Sequence, residues 1–133
     1  MHKILLAYDG GEPARRALDQ TIELARGFSA SVGIISVVPP RPGRGQMDPW
    51  EDRTAHAEVL LEARRLLREA GIDAELMEPG GDPATTIERV ADERGFDTIV
   101  IGTRGLGALA RALHGSVSEH VATHATATVV VAR

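Results

Sequence analysis

The feature that most limits what this chain can fold into is a regular alternation of two kinds of segment. Short apolar runs of strand length are followed by stretches whose apolar residues recur at helical spacing, with Gly, Pro or Asp at the junctions. His2 to Tyr8 is nearly continuously apolar and ends in Asp9-Gly10-Gly11, which predicts a buried strand and a tight turn. Glu12-Pro13 opens a helix, because a proline in the first turn lacks only an N–H that would have no partner there. Ala14, Ala17, Leu18, Ile22 and Ala25 carry its apolar face, and Gly27 is expected to stop it. Ser31 to Val38 is rich in β-branched residues and closes at Pro39-Pro40, a second strand. The Pro- and Gly-bearing stretch from Pro39 to Asp48 is the one expected to be disordered. Glu51 to Ala70 predicts a long helix with Ala55, Val59, Leu60, Ala63, Leu66 and Leu67 on one stripe, and Gly71 as a left-handed cap. Ile72 to Met77 is a third strand. Asp82-Pro83 supplies an N-cap and first-turn proline for a helix to about Arg94, ended by Gly95. Asp97 to Ile101 is a fourth strand, followed by a glycine-rich segment from Gly102 to Gly115, a helix from Ser116 and a last strand from Thr128 to Ala132. Such βαβ alternation builds an α/β fold, a five-stranded parallel sheet with helices on both faces. At 133 residues it is expected to be a single domain over 1–133.

Composition narrows the function. There is no cysteine, which excludes disulfides, thiolate metal sites and cysteine nucleophiles. No secretory pattern follows Met1, so a cytoplasmic location is expected. No apolar run approaches the about 20 residues that cross a bilayer, and no membrane association is expected. A net charge of −4, a pI near 5.7 and 3% aromatic residues argue against nucleic acid as a partner. Lys3 is the only lysine, and it lies at a strand start, away from any loop that could hold a Schiff base or a phosphate.

In open α/β sheets ligands bind beyond the carboxyl ends of the strands, where the strand order reverses. The loops after the first and fourth strands therefore matter most. The second of these reads Gly102-Thr103-Arg104-Gly105, then nine residues, then Gly115-Ser116-Val117-Ser118. Glycines let backbone come close to a ligand, and a helix starting at Ser116 offers free N–H groups and a positive dipole end, which suits phosphate. Ser116 can equally cap its own helix, with Glu119 completing a capping box. Asp9 is either a turn residue or an acceptor for an adenine amino group or ribose hydroxyl. Arg104 either pairs with phosphate or is simply solvated. Gly105-x-Gly107-x-x-Ala110 imitates a dinucleotide fingerprint, but it sits after the fourth strand and lacks the later acidic residue. No Gly-Lys-Ser/Thr occurs, so there is no P-loop. His120 and His124 are four apart on one helix, yet Val121 stands where a zinc protease helix has its glutamate, and no metal held by protein side chains is expected. His114 beside Gly115 could touch phosphate or be plain polar surface. No nucleophile, base and acid can be assembled into a catalytic set.

Taken together, Ile4 to Gly10, Asp97 to Gly105 and the Gly-x2-Gly-x9-Gly-Ser spacing make the whole chain resemble the universal stress protein family, in its ATP-binding branch. The resemblance implies a strand order of 3-2-1-4-5 with a nucleotide across strands one and four. It implies that Ala7, Tyr8 and Asp9 lie at the adenine side and that Val37 makes a backbone contact at the end of strand two. It also implies that Gly102, Arg104 and Gly105 hold ribose and phosphate, and that Gly115, Ser116, Val117 and Ser118 cradle the triphosphate. The implied cofactor is ATP or another adenine nucleotide, with Mg²⁺ carried by the nucleotide, and the implied function is that of a nucleotide-dependent regulatory switch with at most slow hydrolysis. Two departures stand out. Gly11 replaces the family's serine after Asp-Gly, removing a hydroxyl that could cap the first helix, and Thr128 replaces a proline before the last strand. In the implied order the strand Thr128 to Ala132 is an uncharged sheet edge, a template for a homodimer. The competing reading is an interaction module whose pocket is vestigial.

Overall fold

A computed structural model gives the fold, and it describes residues 1–38, 49–103 and 116–133, with the side chains of 49–55, 116 and 118 outside that description. Five parallel strands form one sheet in the order β3-β2-β1-β4-β5. They are β1 (Lys3–Ala7), β2 (Ser31–Ile35), β3 (Ala74–Met77), β4 (Thr98–Gly102) and β5 (Thr128–Ala132). The helices between them are α1 (Glu12–Phe28), α2 (Pro49–Glu69), α3 (Pro83–Arg94) and α4 (Ser116–His124). The expected strand order and sense are therefore those observed, with β1 in the centre between β2 and β4.

Alternation along the strands divides the core in two. Ile4 and Leu6 of β1 and Tyr8 just beyond it join Ala14, Ala17 and Leu18 of α1 and Leu60, Ala63 and Leu67 of α2 on one face. Leu5 and Ala7 join Ile87 of α3 and Val117 and Val121 of α4 on the other. Both faces of β1 are thus dry, which explains its unbroken apolar run. Gly33 of β2 has a packing reason: a Cβ there would meet Phe96 Cζ at 2.6 Å and Met77 Cε at 2.8 Å.

Boundaries differ from expectation in physically clear ways. Gly27 does not stop α1, which continues to Phe28; the left-handed residue is Ser29 (φ 54°), whose N–H reaches Ala25 O. Gly11 caps the start of α1 without a side-chain bond, as its missing hydroxyl implies. Asp82 and Gly95 cap α3 as expected, Asp82 accepting from Thr85 N and Gly95 adopting φ 73°. Strand β2 ends at Ile35 rather than Val38, although Ser36 N donates to Met77 O and Val38 bridges Gly80, so the register runs on past the strand. Strand β3 starts at Ala74 rather than Ile72, because Gly71 (φ 84°) turns the chain and Ile72 N still donates to Leu67 O of α2. The expectation for Pro39 to Asp48 lies outside the described residues. No helix among the described residues is long and apolar enough to cross a membrane.

Candidate functional site

At the carboxyl ends of the central strands a narrow crevice opens on the α3/α4 side of the sheet, lined by Ala7, Tyr8, Ile35, Val37, Ile87, Ile101 and Val117. Four residues expected from the sequence meet there: Ala7 and Tyr8 at the end of β1, Val37 beyond β2, and Val117 in the first turn of α4. The strand order makes this possible, since β1 hands over to β2 on one side and to β4 on the other and their helices leave on opposite faces. The crevice is apolar, and Val37 (2% exposed) and Val117 (6%) form part of its wall.

Tyr8 contributes differently from what its position in the motif suggests. Its ring is packed with the α1/α2 core, 2% exposed, and its N–H already donates to Ile35 O at 3.0 Å. Burial pushes its phenol above the ordinary value, and the Glu62 carboxylate adds to that effect. Tyr8 is therefore a neutral core residue at the site's edge. Asp9 has the turn role: its Oδ1 accepts from Gly11 N at 2.9 Å, fixing the entry to α1.

Gly102 ends β4 against the first turn of α1. A Cβ there would lie 2.5 Å from Pro13 O and 2.8 Å from Pro13 Cβ, so close helix-to-strand packing alone requires glycine. Arg104, Gly105 and Gly115 lie outside the described residues, as does His114. Ser116 and Ser118 are in the first turn of α4, which places its free N–H groups near the crevice through neighbouring Val117.

One polar group near the site was missed by the sequence reading. Ser36, 1% exposed, sits beyond β2 with its Oγ 2.6 Å from His56 Nδ1 of α2. His56 continues the inward row Leu60, Ala63 and Leu67 one turn back, a spacing visible in the sequence once α2 is placed. By the β2/β3 register Glu78 lies beside Ser36, and its Oε2 is buried without a hydrogen-bond partner among the described residues.

The family model for the universal stress protein family matches residues 1–133. The chain belongs to that family. The stress response protein NhaX of Bacillus subtilis is 30% identical over 163 residues, covering 98% of this chain and 97% of that one. A universal stress protein of Methanocaldococcus jannaschii is 33% identical over 140 residues, covering 98% of this chain and 81% of the relative. Among solved structures, a universal stress protein in complex with cAMP superimposes with a TM-score of 0.78 at 25% identity, over 99% of this chain and 97% of that chain. The universal stress protein from Archaeoglobus fulgidus in complex with dAMP gives 0.78 at 26% identity, over 100% and 98%. Within the universal stress protein fold, this chain's crevice lies where β1, β2 and the start of α4 come together.

Proposed function

We propose that this universal stress protein binds an adenine nucleotide, ATP with Mg²⁺, across the carboxyl ends of β1 and β4, and acts as a dimeric nucleotide-dependent switch in a stress response. The observation that carries the reading is the meeting of Ala7, Tyr8, Val37 and Val117 around one apolar crevice at the point where the strand order reverses. Structural relatives crystallised with cAMP and with dAMP support an adenine ligand. In this reading the base enters beside Ala7 and Val37, Asp9 and Gly102 border the ribose, and Arg104 and Gly105 lie along the phosphates. Gly115, Ser116, Val117 and Ser118 supply N–H groups at the start of α4, where the helix dipole favours anions. The bound nucleotide would bring Mg²⁺ with it on the phosphates.

Hydrolysis in this reading is far slower than the ~10 per second of an ordinary enzyme, since no side chain among the described residues is placed to activate water. The cytoplasm is the proposed compartment, and the dimer is proposed to form through Thr128 to Ala132. Calorimetry with ATP and GTP on the Mg²⁺-containing protein tests the binding. ATP is expected to bind and GTP to bind more weakly, and Gly115→Val to abolish binding because its side chain fills the phosphate space. Absence of heat with millimolar ATP, or unchanged binding by Gly115→Val, overturns the reading.

A further inference from the structure

Ser36 and His56 meet on the face of the sheet opposite the crevice, yet their contact bears on it. Side chains alternate along β2 and its continuation, so Val37 walls the crevice on the α3/α4 side while Ser36 turns toward α2. The two are neighbours in the chain. Whatever fixes Ser36 also fixes the backbone that carries Val37.

That backbone is supported unevenly. Past Ile35 its ladder bonds among the described residues run to the β3 side: Ser36 N donates to Met77 O at 3.0 Å, Val38 N to Pro79 O at 2.9 Å, and Val38 O accepts from Gly81 N at 3.1 Å. On the other side Tyr8 N still donates to Ile35 O at 3.0 Å, and then the chain turns away at Gly10, whose φ is 86°. Residues of a parallel strand direct their N–H and C=O groups to alternate neighbours, so those of Val37 face the side that β1 has left. This is the side from which a base would approach.

His56 supplies support from a third direction. Its Nδ1 lies 2.6 Å from Ser36 Oγ, and among the described residues it is the one side chain bonded to that hydroxyl, on a residue only 1% exposed. A serine hydroxyl both donates and accepts, so it pairs with Nδ1 in either tautomer. The imidazole is itself anchored, one turn from buried Leu60 in the inward row of α2. Neighbouring Val59 abuts the turn after β1, where a Cβ on Gly10 would lie 3.2 Å from Val59 Cγ2. One helix thus backs both strand-end segments at the crevice, and a helix holds such a contact more exactly than a loop does.

We infer, on the nucleotide reading above, that His56 is a positioning residue for the site, holding segment 36–38 through the Ser36 hydroxyl so that Val37 stands ready for the base. Without the bond the buried hydroxyl loses its partner, and the ligand has to order the segment at a cost in affinity.

Calorimetry with ATP and with AMP on the full chain tests this, with circular dichroism reporting that each variant is folded. His56→Ala and Ser36→Ala are each expected to weaken both nucleotides by the same factor, about 3- to 10-fold, the worth of one hydrogen bond. The double variant is expected to lose no more than either single one, since both remove the same contact. Replacement by the two amides identifies the atom at work. Asn carries its amide where Nδ1 stands and Gln where Nε2 stands, so His56→Asn is expected to keep the affinity and His56→Gln to lose it. A role in packing alone predicts the reverse, because Gln is closer to His in volume. Unchanged ATP affinity in a folded His56→Ala, additive losses in the double variant, a loss confined to ATP, or a His56→Gln that binds as well as His56→Asn each overturns the positioning role alone. Failure of the folded parent to bind ATP overturns the nucleotide reading, and this role with it.

Discussion

Asp97 shows how much one side chain can join. Its Oδ2 accepts from His2 N at 2.7 Å and Lys3 N at 3.2 Å, and its Oδ1 accepts from Thr98 Oγ1 at 2.7 Å, so it ties the start of β1 to the start of β4. Burial pushes its carboxyl up, but the Thr98 hydroxyl, the two amides and the N-terminal amine together outweigh it and the pKa is lowered. A folded-state pKa below the unfolded one means stability that is present above the ordinary carboxylate range of about 3.9 and is lost as pH falls through the lower folded value. Asp97→Ala is expected to cost about 1–3 kcal/mol at neutral pH, from hydrogen bonds to a charged acceptor. Urea denaturation at pH 7 and below pH 4 checks it: the gap between parent and variant should narrow in acid, and a gap that widens refutes the assignment. Nothing in the sequence near Asp97 announces this role, because the two amides it accepts from are more than 90 residues away. Gly102 was legible as a special position but not for its packing reason, which depends on Pro13 arriving from α1.

Elements were more legible than single contacts, because their start and stop chemistry is local. Asp82 reads as an N-cap from its place before Pro83, and in the fold its Oδ2 accepts from Thr85 N at 3.1 Å and Thr85 Oγ1 at 2.9 Å. Asp82→Ala is expected to destabilise the protein by about 1 kcal/mol, measured as a lower urea midpoint with unchanged slope. An unchanged midpoint would mean that the preceding turn, where Gly81 N bonds Val38 O, holds α3 by itself. Where element reading went astray, a tertiary term had replaced the local one. The end of α1 moved from Gly27 to Ser29, because a glycine tolerates but does not require the left-handed conformation, and here Ser29 adopts it. The sequence reading passed over His56, and only the packing of α2 on β2 pairs it with Ser36. Topology pointed only to the loops after the first and fourth strands; Ala7, Val37 and Val117 were named through the family resemblance, which places them at strand ends and a helix start. The burial of the Tyr8 ring depends on which face of β1 each side chain takes.

At the scale of the whole molecule, assembly turns on β5, which among the described residues pairs with β4 alone and forms one edge of the sheet. Thr128 N donates to Asp97 O and Ala132 O accepts from Thr103 N, both toward β4. In a parallel ladder the residues that face one neighbour alternate, so Val130 also turns its backbone groups toward β4, and those of Val129 and Val131 point to the open edge. Val131 is in addition 36% exposed and carries no charge that would keep a second strand away. The proposed dimer pairs two copies of β5 about a two-fold axis, which satisfies these outward groups in both protomers at once. This alternation selects the informative variant. Val130→Pro would remove a bond within the chain and loosen β5 itself, whereas Val131→Pro removes an outward donor and leaves the β4 ladder in place. Light scattering is therefore expected to show a dimer for the parent and a folded monomer for Val131→Pro, with circular dichroism reporting that the fold is kept. A monomeric parent, or a folded Val131→Pro that dimerises as tightly as the parent, rules out pairing through this edge.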